Sequence, residues 1–111
     1  MRKRSAFPFE VSESAVKLGE NLRVARVRRS MTQDDLALRC NITRKTLSEI
    51  EKGQPGVTYG NVLTVLWTLG LLEGVKKVAD PDADEHGRIL DAARQPKRIR
   101  NSSASAIDND F

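Results

Sequence analysis

A chain of 111 residues with a single cysteine, Cys40, holds one small domain and no internal disulfide. At 39% hydrophobic but only 5% aromatic residues, its core must be built from Leu, Ile, Val and Ala, and no apolar run approaches the ~20 residues that a membrane span needs. The formal charge of +4 is concentrated in the first half and in the block Lys97, Arg98 and Arg100, a distribution that attracts a phosphate backbone and equally suits a plain solvated surface.

Residues 1–11 are basic and interrupted by Pro8, and read as a flexible arm rather than a signal-peptide core. Ser12 is a candidate N-cap for a helix over 13–29, with Leu18, Leu22 and Ala25 on one apolar face. Val24 and Val27 fall off that face. Thr32, with Asp35 three places on, caps a second helix whose buried side is Leu36, Ala37 and Cys40. Asn41 is its left-handed stop. Ile42 is a buried turn residue, and Thr43 caps a third helix over 44–52 with Leu47 and Ile50 inward and Gly53 at its end.

After the loop Gln54-Pro55-Gly56, a fourth helix starts at Thr58 or Asn61 and runs through Leu69, with Val62, Val65, Leu66 and Leu69 as its core set. Gly70 closes it. A short fifth helix is expected over 71–79. Asp80-Pro81 then reads as the cap of a sixth helix reaching about Arg94, with Ile89, Leu90 and Ala93 inward. Pro96 ends it, and 101–111 is too polar to fold. The fold class is therefore all-α, with five to six helices and flexible termini: an arm over 1–11, a domain over 12–80, a helix and basic segment over 81–100, and a disordered tail over 101–111.

Two short helices joined by a tight turn, the second rich in polar residues, suit the DNA major groove. Here TQDDLALRC is followed by the turn NIT and then by RKTLSEIEKG. Leu36, Ala37, Ile42, Leu47 and Ile50 can converge on one core while Arg44, Lys45, Ser48 and Glu49 stay outside. The motifs LGENLR, MTQDDLA, NITRKTLSEIEKG and VLTVLWTLGL, in that order over 18–71, resemble the Cro/CI-type (XRE) repressor family. The resemblance implies a lambda-repressor-like DNA-binding domain. Asn41 stands where glycine is commoner in that family.

Arg44 and Lys45 open the recognition helix and point into the groove, where such cations pair with guanine acceptors; a phosphate contact is the alternative for Lys45. Ser48 and Glu49 complete the base-contacting set, and Glu49 either accepts from cytosine N4 or holds Lys45. The resemblance implies that Gln33 looks toward a phosphate while bracing the recognition helix. It also implies that Lys52 and Thr43 meet phosphates, and that Arg26 and Glu51 form an ion pair locking the first helix to the third.

One such domain covers too few bases to select a genomic site, so a homodimer on double-stranded operator DNA is expected. Trp67, with Leu63 and Leu71, reads either as a dimer or partner interface or as part of a larger local core completed by the sixth helix. Residues 71–100 are similar to the extension of HipB-type antitoxins. That implies a HipA-like kinase toxin as a second partner, with the basic block near Arg98 touching toxin or DNA; an autonomous XRE regulator with no toxin is the alternative. No enzyme activity, cofactor or metal is expected, because the lone His86 lies in a polar helix beside Asp84 and Glu85. The expected location is the cytoplasm.

Overall fold

The computed structural model describes residues 7–94; the expectations for residues 1–6, for Lys97, Arg98 and Arg100, and for the 101–111 tail lie outside them. Every element among the described residues is helical: α1 (Phe9–Arg28), α2 (Gln33–Cys40), α3 (Arg44–Glu51), α4 (Tyr59–Thr68), a 3-10 helix (Leu72–Lys77) and α5 (Glu85–Arg94). The chain divides into two compact units between Val75 and Lys76. No helix among the described residues is long and apolar enough to cross a membrane.

Helix α1 starts at Phe9, earlier than a Ser12 cap would have it. Pro8 takes the cap position, and its carbonyl accepts from the N–H groups of Val11 and Ser12 at 3.0 and 3.1 Å. Proline has no N–H to leave unsatisfied there. On the buried face, Leu22 and Ala25 pack as the periodicity predicts, but Leu18 is exposed and Gly19 is buried in its place. The reason is a close approach: a Cβ on Gly19 would lie 2.6 Å from the carbonyl oxygens of both Ile50 and Glu51. Glycine lets α1 lie directly on the end of α3.

Leu22, Ala25, Leu36, Ala37, Cys40, Leu47, Ile50, Val65 and Leu69 form the core, with Met31, Ile42, Val57, Val62 and Leu66 packed on its margin. Helix α4 begins after Thr58 and supplies Val65 and Leu69, closing the first unit over the α2–α3 pair.

Beyond α4 both expected helices are present. The fifth element is a short 3-10 helix in which Leu72 and Val75 are half-buried and the other residues exposed. Pro81 does not open α5. The Asp80 carboxylate instead accepts from the Asp82 N–H at 3.0 Å, making a local turn, and Asp84 becomes the cap by accepting from the Gly87 N–H at 3.0 Å. The inward set expected on α5 is not inward: Ile89 is 60% exposed, Leu90 is 53% exposed, and Ala93 is exposed as well. Two large aliphatic side chains and two alanines on a ten-residue helix make too small a face to close a core alone.

Candidate nucleic-acid interface

Helices α2 and α3 are each capped at the N-terminus by a threonine side chain. Thr32 Oγ1 accepts from the Asp35 N–H at 3.0 Å while the Asp35 carboxylate accepts from the Thr32 N–H at 2.9 Å, a reciprocal capping box. The Asp35 carboxyl is held below its ordinary value by the Thr32 N–H first and by the Thr32 hydroxyl second. Asn41 adopts the left-handed conformation at φ 58°, which lets the Ile42 N–H return to the Ala37 carbonyl at 3.1 Å. Thr43 then accepts from the Thr46 N–H at 3.0 Å and caps α3. The turn satisfies its own backbone, so the outer face of α3 is left to its side chains.

Leu47, Ile50 and Glu51 form the buried underside of α3. On the other side Arg44 and Lys45 are exposed, and Ser48 and Glu49 are half-buried. These four, with Gln33, Lys52 and Gln54, line an open groove of about 430 Å³. The structure therefore brings all four proposed base-contacting residues together with two of the three proposed phosphate-contacting ones. Thr43 stands apart, its hydroxyl 2.9 Å from Thr46 Oγ1.

Two of the three cations on this face have an acidic neighbour. Lys45 Nζ lies 3.9 Å from Glu49 on the next turn, and Arg44 Nε lies 3.9 Å from Asp34 on α2. Exposed pairs at that distance are worth little, so both cations are free to exchange these partners for a phosphate or a base edge. Asp34 and Gln54 belong to this face without having been singled out from sequence. The only signal for Asp34 was its place in the first turn of α2 beside Gln33.

Beneath the groove, Arg26 of α1 grips Glu51 of α3 with two parallel hydrogen bonds, Nε to Oε2 at 2.7 Å and Nη2 to Oε1 at 3.0 Å. Its third group, Nη1, donates to the Met31 carbonyl at 2.8 Å. The hydrogen bond to Glu51 raises the Arg26 pKa above its ordinary value, against the opposing effect of burial and with help from the Glu51 charge. Gln33 carries the network outward: its Nε2 donates to Glu51 Oε1 at 3.0 Å, and its Oε1 accepts from Arg44 Nε at 3.4 Å. One amide N–H of Gln33 is left for an external acceptor.

A second face lies on α4. Trp67 is 66% exposed and Leu71 41%, while Leu63 is half-buried. The indole ring is not part of the buried core of the first unit. Leu71 also borders an open groove of about 340 Å³ shared with Asn21, Val24, Ala25, Arg28 and Arg29. His86, on α5, is exposed.

The family model described as a helix-turn-helix domain matches residues 19–75, just over half of the chain and all of the α2–α3 unit. The chain matches no curated protein and no solved structure.

Proposed function

We propose, from the premise that the chain belongs to this helix-turn-helix domain family and is a DNA-binding regulator of XRE type, that it is a sequence-specific transcriptional repressor. The observation that carries this is the groove in which Arg44, Lys45, Ser48 and Glu49 converge on a helix braced from below by Arg26 and Glu51. Arg44 offers its guanidinium to guanine O6 and N7, and Ser48 adapts to either strand. Lys52 and the spare Gln33 N–H meet phosphates, which set register without reading sequence, and the Thr43 cap presents the start of α3 to the same backbone. The protein acts by occupying its operator in the cytoplasm and performs no chemistry.

A dimer joined through Trp67, Leu63 and Leu71 places two such helices on two half-sites. Exposed aromatics beside aliphatic side chains are the usual material of interface centres. The repressor serves as the antitoxin of a toxin-antitoxin operon, with a HipA-like kinase toxin as its second partner. Two features support that role: the resemblance of residues 71–100 to antitoxin extensions, and the exposed Ile89 and Leu90 on α5.

Binding to a randomised pool of duplexes tests the DNA reading. Arg44→Ala is expected to weaken the selected duplex by about 1–3 kcal/mol and to relax one base position. Protein that retains no duplex at low ionic strength refutes it. Co-purification from the native operon tests the antitoxin role: a stoichiometric kinase-like partner supports it, and an isolated repressor returns the autonomous reading.

A further inference from the structure

Among the residues lining the recognition groove, Glu49 has the wrong charge for a surface that must approach phosphates. Its side chain is 36% exposed, whereas the Lys45 side chain beside it is 86% exposed. The acid therefore lies closer against the groove than the lysine does. At the other edge Asp34 lies 3.9 Å from Arg44, and both of those side chains are well exposed. Three cations, Arg44, Lys45 and Lys52, thus share this face with two acids, and the attraction for a phosphate backbone is correspondingly reduced.

We infer that Glu49 is the specificity-determining residue of the groove, a cytosine reader that also suppresses binding to unrelated DNA. The inference rests on the DNA reading above. When base edges fill the groove, water leaves the Glu49 carboxylate, and that desolvation is costly unless a donor replaces the water. In the major groove, the cytosine N4 amine is the donor that a glutamate takes best. Guanine O6 and thymine O4 are acceptors and repel it. On a random sequence, Glu49 meets an acceptor as often as a donor, and it keeps Lys45 partly occupied. On the right sequence it releases Lys45 to a phosphate and accepts from cytosine.

The experiment is selection from a randomised duplex pool by the full-length protein and by Glu49→Gln, followed by salt titrations on the selected and on an unrelated duplex. Thermal unfolding of both proteins checks that the fold is kept. Wild-type protein is expected to select cytosine at the Glu49 position by about tenfold. In Glu49→Gln that preference flattens and affinity for the unrelated duplex rises several-fold, because a carboxylate no longer opposes the phosphates. A motif without that cytosine, a preference that survives the substitution, or an unchanged affinity for unrelated DNA overturns the inference. Wild-type protein that binds no duplex at all refutes the DNA reading instead, so the two failures are distinguishable.

Discussion

Arg26→Ala would strand Glu51. The Glu51 side chain is 3% exposed and shares two hydrogen bonds with Arg26, at 2.7 and 3.0 Å. After truncation only Gln33 still donates to it. Removing one partner of a buried pair costs about 3–5 kcal/mol, because the remaining charge has neither water nor a counter-ion. Against a total stability of about 5–15 kcal/mol, that is a large share. For a domain of this size the melting midpoint should fall by roughly 12 °C or more. Urea unfolding followed by circular dichroism at pH 7 measures the loss. The double variant Arg26→Met with Glu51→Leu should recover most of it, since apolar residues of similar volume often replace a buried pair without net cost. A loss below about 1 kcal/mol in the single variant, as for an exposed pair, would refute the reasoning. So would a double variant as unstable as the single.

Gly19→Ala should destabilise the fold by about 1–3 kcal/mol through overpacking, since the new methyl would sit 2.6 Å from two carbonyl oxygens; the better helix propensity of alanine would instead stabilise the chain if α1 could move aside, and urea unfolding tells the two apart. The Asp35 carboxyl, depressed in the folded state below its ordinary 3.8 by the Thr32 N–H, contributes stability that is present above that value and lost as pH falls through the depressed one. Thermal midpoints from pH 6 downward should therefore converge for wild type and Asp35→Asn at low pH, and a constant gap would remove the capping box from the acid response. Trp67→Ala should shift the protein from dimer toward monomer in sedimentation velocity; a dimer that persists places the interface elsewhere.

Local rules were legible wherever one residue type decides a backbone conformation. Thr32 with Asp35, Asn41, Thr43 and Gly53 each sit where their chemistry predicts, so α2, the turn and α3 could be placed from sequence, and with them the groove residues. What escaped notice depends on tertiary approach. Gly19 reads as a weak point in a helix until α3 is laid against it, and its burial displaces Leu18 from the predicted face. Helix α5 ends where the sequence places it, but Ile89 and Leu90, which have the spacing of a buried face, are exposed, because periodicity marks an apolar face without saying what meets it. Asp80 and Asp84 are both plausible caps, and the choice of Asp84 was settled by Asp80 closing a turn on Asp82.

The polar network under the recognition helix joins stability to reading. Arg26 holds Glu51, Glu51 holds the Gln33 amide nitrogen, and the Gln33 oxygen receives Arg44. Each side chain uses a fixed planar group, so an orientation set deep in the core is passed to the guanidinium at the edge of the groove. An apolar replacement at Arg26 and Glu51 can preserve the fold but cannot preserve this orientation, because Gln33 loses its acceptor. The folded double variant should therefore bind its selected duplex more weakly than wild type although both of its changes lie beneath the groove. On the proposed reading, that separation of stability from affinity would be the use of the buried pair in a domain this small: it would fix where Arg44 points.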